Sequence, residues 1–301
     1  MQQVITELLN GSCGELRLNE PLAPYTTWKI GGPADILLIP RTRSQLIDAV
    51  KLLNRHETPW TVLGRGSNML VSDKGIRGAV IKLGDALETV RFEGELVYAG
   101  GAYSFIKLSV MAGKEGLTGL EFAGGIPGTV GGAVYMNAGA HGSDVSRILL
   151  RAEVLLPTGE LVTLNNEDLA YAYRHSILQT KPGIVTEAVF QLRYGDRKEI
   201  AATLASYKDR RLRTQPLQLA CAGSVFRNPQ GHFAAKLIEE AGLKGLRVGG
   251  AEVSPLHANF IVNTGQATAH DVLTLIEQVK TAVKEKFGVC LVPEVLVVGE
   301  R

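Results

Sequence analysis

Four polar positions are poorly explained by their neighbours and could carry chemistry. Arg174 follows the aromatic pair Tyr171 and Tyr173 and precedes His175 and Ser176. Its chemistry would be that of a fixed cation; the plain alternative is a surface arginine. Ser224 lies in the turn-like run Gly223-Ser224-Val225-Phe226-Arg227-Asn228-Pro229, where a serine commonly serves as a turn or capping residue. Its hydroxyl could also carry a proton or act as a nucleophile. Glu294 interrupts the apolar run Leu291–Val298, and a carboxylate in such surroundings is costly unless it is paired, functional or turned to water at an edge. His257 precedes the apolar stretch Phe260–Val262, where a lone histidine is commonly structural.

Other chemistries are excluded by pattern. The six histidines have no i,i+4 partner and no nearby cysteine pair, so no metal centre is expected. There is no GxxxxGK[ST] phosphate loop and no GxSxG nucleophile elbow.

Two glycine-rich runs could hold a ligand by backbone. Gly64-Arg65-Gly66-Ser67-Asn68 ends the apolar stretch Trp60–Leu63, the edge at which alternating α/β units bind ligands. It begins like a dinucleotide fingerprint, but Met69 stands where the third glycine belongs, so that reading is rejected. A backbone nest for phosphate and a plain turn both remain. Phe122–Gly142 holds seven glycines and no Lys, Arg, Asp or Glu. Each glycine costs about 1 kcal/mol relative to alanine in a helix, so no ordinary helix is expected there. Its interspersed Ile126, Val130, Val134 and Met136 argue against a solvated linker. It reads as a backbone cradle for a large, flat or phosphorylated ligand, or else as a buried irregular loop.

The elements that must position these residues follow from periodicity. Helices are expected over 3–18, 44–55 (capped by Ser44 or Thr42), 103–113, 166–170, 197–213, 233–241 and 269–287. Strands are expected over 36–39, 60–63, 79–83, 89–92, 96–99, 184–192 and 291–298. The runs 149–156 and 161–164 flank Pro157-Thr158-Gly159-Glu160 as a hairpin. The character changes at Gly195-Asp196, where a basic helical run begins.

The chain has 301 residues, enough for two or three domains of about 100–150 residues each. With 45% hydrophobic residues, 21% charged residues and a formal net charge of +2, nothing argues for nucleic-acid or membrane-surface binding. No signal segment or membrane span is visible, and Cys13, Cys221 and Cys290 are scattered like reduced thiols of a cytoplasmic protein.

Taken in order, these segments resemble the UDP-N-acetylenolpyruvoylglucosamine reductase (MurB) family of flavoenzymes in peptidoglycan precursor synthesis. The matching pieces are Thr26–Asp35, Gly64–Asn68, Gly124–Gly132, Asn137–Ala140, Tyr173–Ser176, Gly223–Pro229, His257–Asn263 and Pro293–Val295. The resemblance implies an α+β fold, with a two-part FAD-binding module of the vanillyl-alcohol-oxidase type and a C-terminal α/β substrate-binding domain. The expected division is 1–24 as an N-terminal segment, 25–85 and 86–195 as the FAD-binding subdomains, and 196–301 as the substrate domain. The length matches the shorter family type, without the tyrosine-bearing lid insertion.

The resemblance further implies non-covalent FAD and NADPH as hydride donor. Hydride would pass through flavin N5 to the enolpyruvyl ether of UDP-N-acetylglucosamine-enolpyruvate, giving UDP-N-acetylmuramate for cell-wall biogenesis and division. Arg174 and Glu294 would stabilise the enolate-like charge, and Ser224 would deliver the proton. Cofactor contacts would come from Thr27, Gly64, Arg65, Gly66, Ser67 and Asn68. Further ones would come from Gly124, Gly125, Ile126, Pro127, Gly128, Thr129, Gly131 and Gly132, and from Asn137, Gly139, Ala140 and Ile184. Substrate contacts would come from Tyr173, Asn228 and Gln215, with Arg213 or Arg211. His257 joins them at a position that is Gln in some relatives. No metal is implied, and the expected state is a monomer with no nucleic-acid or membrane partner.

Two other classes compete on the same residues: a flavin oxidase acting on an alcohol or sugar, and a non-catalytic nucleotide-binding module. An oxidase needs a base to strip a hydroxyl proton, and the Arg174, Ser224 and Glu294 set argues against that reading.

Overall fold

A computed structural model describes residues 1–84 and 87–300. The expected boundary between residues 85 and 86 lies outside the described residues. The chain divides into two compact units, each discontinuous in sequence. The first comprises residues 1–18, 36–64 and 78–209, and the second residues 19–35, 65–77 and 210–301.

The first unit has two sheets. One is four-stranded and includes residues 15–18, 36–39, 78–82 and 60–63 in that order, with Trp60–Leu63 parallel to Ala79–Lys82. The helix Arg43–Arg55 crosses between its strands and buries Leu46, Ala49, Val50, Leu52 and Leu53. Its cap is Thr42, whose hydroxyl accepts the Gln45 N–H. The other sheet is antiparallel and five-stranded, in the order Leu161–Asn165, Leu149–Leu155, Ile184–Gln191, Leu96–Gly100 and Val90–Glu93. The hairpin expected around Pro157–Glu160 is its Leu149–Leu155/Leu161–Asn165 pair. The helix Phe105–Lys114 and Phe122, Val130 and Val134 of the glycine-rich run fill the core beside this sheet.

The second unit centres on a small antiparallel sheet in the order Ala220–Cys221, Ile261–Asn263, Ala251–Val253 and Arg247–Val248. Helix Ala269–Phe287 packs its buried face, including Val272, Leu275, Ile276 and Val279, into the core of this unit. The helix starts on a capping box between Thr268 and Asp271. Trp28, fully buried, ties residues 19–35 to this sheet by donating from Nε1 to the Ile261 carbonyl at 2.8 Å.

Three expectations need correction. The helix placed over residues 3–18 is Gln2–Asn10 only, followed by the strand Glu15–Pro21. Gly14 separates them at φ +122°, where a Cβ would lie 2.5 Å from the Ile39 carbonyl oxygen. The strand expected over 291–298 contracts to Leu296–Val298, parallel to Met69–Val71, so Glu294 lies just outside it.

The glycine-rich run does contain a helix, Val130–Met136. The penalty of Gly131 and Gly132 is offset by burial of Val130, Ala133, Val134 and Met136 and by the Thr129 hydroxyl accepting the Gly132 N–H. At Gly131 a Cβ would lie 3.0 Å from the Gly101 carbonyl oxygen, tight enough that a neighbour would have to give by a few tenths of an ångström.

Candidate active site

In the first unit the site residues gather around Arg174. Residues Ala172–His175 form a tight antiparallel turn closed by reciprocal backbone hydrogen bonds of 3.1 Å. Arg174 sits at its tip with φ +55°, the left-handed region that a bulky residue occupies only at a cost of about 1–3 kcal/mol. Glycine would be the ordinary choice at such a position. The guanidinium is held by a 2.6 Å hydrogen bond from Nη2 to the Gly139 carbonyl, inside the glycine-rich run. It also lies 5.1 Å from the Tyr173 ring centre.

The turn is braced from behind. Fully buried Ser176 donates to the Tyr135 carbonyl at 2.6 Å, and the Gln179 amide donates to the Arg174 carbonyl at 3.1 Å. Asn137, itself left-handed at φ +44°, ends the helix Val130–Met136. Its amide donates to the Ala172 carbonyl at 3.0 Å, and its oxygen accepts the Ser146 N–H at 2.9 Å. Asn137 therefore works as a bracket between the glycine-rich run and the Arg174 turn. Ser176 and Gln179 were missed by sequence reasoning. The visible signal was Ser176 within the Tyr173–Ser176 motif.

Gly64, Thr129 and the 124–132 run also belong to this unit. A Cβ on Gly64 would fall 2.9 Å from Thr129 Oγ1, so the two loops meet closely at a position without a side chain. The amides of Val130, Gly131 and Gly132 are already bonded, to the Tyr103 carbonyl, the Gly101 carbonyl and the Thr129 hydroxyl. These three are therefore spent within the protein. The absence of a side chain at Gly64 lets the two loops pack together and leaves uncharged backbone there that a cofactor can approach closely. Ile184 is buried, at the start of the strand Ile184–Gln191.

The second unit holds Arg65–Asn68, Thr27, Ser224 and Glu294. Gly66 is left-handed at φ +59°, and a Cβ there would meet Thr26 Cα at 2.8 Å. Its carbonyl accepts the Thr27 N–H at 3.3 Å. Asn68, expected to contact a cofactor, turns its amide to the Glu294 carbonyl at 3.3 Å, while its own carbonyl accepts the Leu296 N–H at 3.0 Å.

Ser224 and Glu294 are brought together in backbone register. The Glu294 N–H donates to the Val225 carbonyl at 2.7 Å, Phe226 bridges Pro293, and the Arg227 N–H donates to the Val292 carbonyl at 2.9 Å. Ser224, half-buried, directly precedes this short ladder. Asn259 flanks its other side and was not singled out by sequence reasoning. Its signal was a polar residue inside an otherwise apolar run, which must find partners if buried.

The expected substrate contacts are spread through the second unit, apart from Tyr173. The exposed Asn228 spends its amide oxygen on the Ala234 N–H, starting the helix Ala234–Glu240. Gln215 accepts a hydrogen bond from Arg211 Nε at 2.8 Å, whereas Arg213 lies exposed on the same helix. Burial lowers the Arg211 guanidinium from its ordinary range and raises the Cys221 thiol beside it. Burial likewise lowers the His257 imidazole, whose Nδ1 accepts the Asn259 N–H at 3.2 Å. That bond fixes its neutral form with the proton on Nε2. Among the described residues no group of His, Cys, Asp and Glu is arranged to hold a metal ion, and no helix is long and apolar enough to cross a membrane.

Comparison with known proteins gives matches to both parts of the chain. Residues 34–165 match the pattern described as an FAD binding domain, and residues 215–298 match that of the C-terminal domain of UDP-N-acetylenolpyruvoylglucosamine reductase. UDP-N-acetylenolpyruvoylglucosamine reductase 1 of Bacillus cereus is 53% identical over 99% of this chain and 100% of its own. The Bacillus subtilis reductase is 51% identical over 99% of each. The crystal structure of the Thermus caldophilus reductase is 40% identical, with a TM-score of 0.82 over 94% of this chain and 98% of that one. A Phl p 4 variant described as a glucose oxidase shares 15% identity at a TM-score of 0.51 over 75% of this chain and 52% of its own, a likeness of fold alone. The fold is therefore the expected α+β combination of an FAD-binding module of the vanillyl-alcohol-oxidase type and a C-terminal α/β domain.

Proposed function

The chain belongs to the UDP-N-acetylenolpyruvoylglucosamine reductase family, and from that premise we propose that it reduces the enolpyruvyl ether of UDP-N-acetylglucosamine-enolpyruvate with NADPH, giving UDP-N-acetylmuramate. That reaction serves peptidoglycan precursor synthesis. Bound FAD supplies the two-electron transfer between the two substrates, which take turns at one site. The rest of the chemistry falls to side chains.

As the ether is reduced, charge gathers on the substrate carboxylate in an enolate-like form. Arg174 stabilises that charge as a fixed cation, and Glu294 donates a hydrogen bond to it as a neutral acid. Ser224 gives the proton to the alpha carbon. Serine is a weak acid, so this step requires a strongly basic enolate and a neighbouring charge to steady the alkoxide. Gly64–Ser67, Thr27 and the Gly124–Thr129 backbone hold the cofactor, while Asn68 braces the Glu294 segment. Tyr173, Asn228, Gln215 and a basic residue of the 211–213 pair hold the nucleotide, with His257 beside them. The division into residues 25–85, 86–195 and 196–301 is proposed on the same footing.

One observation carries this reading: the left-handed Arg174 and the brackets that keep it there. A fold that accepts backbone strain at an arginine, and then surrounds it with Asn137, Ser176 and Gln179, is holding a charge in place. Single-turnover kinetics test the proposal. Ser224→Ala should leave flavin reduction by NADPH intact and slow reoxidation by the enolpyruvyl nucleotide by several orders of magnitude. Equal loss in both halves would refute the proton-donor role. NADPH consumption that tracks peroxide and ignores the nucleotide would favour an oxidase.

A further inference from the structure

Asn259 is 4% exposed and uses every polar atom available to it. Its side-chain oxygen accepts the Phe226 N–H at 2.9 Å, and its side-chain nitrogen donates to the Phe226 carbonyl at 2.8 Å. The amide thus pairs with Phe226 as a neighbouring strand would, two bonds to one residue. Its backbone carbonyl accepts the Val225 N–H at 2.9 Å, and its backbone N–H goes to His257 Nδ1 at 3.2 Å. On the opposite side, residues 225–227 bond to residues 292–294. The segment after Ser224 is therefore gripped from two directions, and the bond from Glu294 N–H to the Val225 carbonyl links both grips.

We propose that Asn259 is a positioning residue of the reductase reaction: its amide holds Val225 and Phe226 in the register that presents Ser224 and Glu294 together. Three features distinguish this from ordinary core hydrogen bonding. The bidentate amide fixes one residue in both translation and tilt, which a single bond cannot do. Gly223, immediately before Ser224, is left-handed at φ +76°, and the chain before it is anchored only as far as the paired strand Ala220–Cys221 and the buried Ala222. Asn259 is the anchor on the C-terminal side of Ser224, starting at the residue next to it. Removing the amide would also leave the N–H and carbonyl of a nearly fully buried residue unpaired, giving that segment a reason to shift.

The inference rests on the reductase reading above, and its test separates the two. Asn259→Ala, Ser224→Ala and the double variant are compared as FAD-loaded enzymes in anaerobic single-turnover experiments. In Asn259→Ala, flavin reduction by NADPH should stay within about twofold of wild type, and reoxidation by the enolpyruvyl nucleotide should slow by about 10- to 100-fold. The double variant should be no slower than Ser224→Ala alone, because Asn259 acts through the group already removed.

Asn259→Asp keeps an acceptor for the Phe226 N–H but, when ionised, sets a carboxylate oxygen against the Phe226 carbonyl, so it should slow reoxidation at least as much as Asn259→Ala. Should the alanine variant fail to fold, the aspartate variant takes its place in the same double-variant comparison. Unchanged reoxidation overturns the positioning role, as does a loss that adds to that of Ser224→Ala. Wild-type enzyme that the nucleotide fails to reoxidise would overturn the reductase reading itself.

Discussion

The side-chain amide of Asn68 donates to the backbone carbonyl of Glu294 at 3.3 Å, across 226 positions of sequence. The last residue of the Gly64–Asn68 run therefore braces the carboxylate-bearing segment within the second unit, and the backbone bond from Leu296 N–H to the Asn68 carbonyl locks the same junction. Asn68→Ala should lower turnover about tenfold, the consequence of a small misplacement, while the protein keeps its flavin. Flavin content by absorbance, set against turnover per flavin, checks this. Lost flavin with normal turnover in what remains would assign Asn68 to the cofactor instead.

Arg174 should show stability and activity pulling apart. Arg174→Gly relieves a left-handed backbone, a gain of about 1 kcal/mol or more, and loses a charge-assisted hydrogen bond to Gly139 of about 1.5–3 kcal/mol. The net change in unfolding free energy should be small. Turnover should fall by about 10²–10³, as expected when a group facing developing charge is removed. Urea titration and steady-state assays together decide it. A badly destabilised variant with preserved turnover would make Arg174 structural.

Gly64→Ala places a methyl group 2.9 Å from Thr129 Oγ1, the hydroxyl that caps the helix Val130–Met136. Either the loops part or the cap is lost, at a cost of about 1–3 kcal/mol. Flavin retention on dilution should drop sharply. A variant that holds flavin as tightly as wild type would show that this seam is not part of the cofactor site.

His257 should make the fold sensitive to acid. Burial lowers its pKa below the ordinary value, so the unfolded chain takes up a proton at a higher pH than the folded one. This contribution is fully present above about pH 6.5 and is lost as the pH falls toward the depressed folded value. His257→Asn, which keeps an acceptor near the Asn259 N–H without a titrating ring, should narrow the difference in urea midpoint between pH 7.5 and pH 5.5. An unchanged difference would mean that other groups account for the acid sensitivity.

Much of the architecture was legible because its causes are local. The helices Arg43–Arg55 and Ala269–Phe287, the strand Trp60–Leu63 and the hairpin around Pro157–Glu160 follow from apolar spacing, capping residues and turn chemistry within a few positions. The helix in the glycine-rich run was not legible. Propensity opposed it, and only burial of Val130, Val134 and Met136 together with the tight approach of Gly131 to Gly101 reverses that balance. The shortened strand at Leu296–Val298 is similar, since an apolar run does not reveal which of its residues will find a ladder partner.

By itself the amino-acid order determined the residue types of the site, their family resemblance and the elements that carry them, because spacing along a chain encodes local geometry. Tertiary structure decided which polar groups are spent and which are held ready. The amides of residues 130–132 and the oxygen of Asn228 satisfy the fold itself. The hydrogen bonds around Arg174 and the amide of Asn259 hold the segments that carry Arg174 and Ser224 in place. A hydrogen bond between distant residues leaves no periodic trace, so its partners emerge only when the chain is folded.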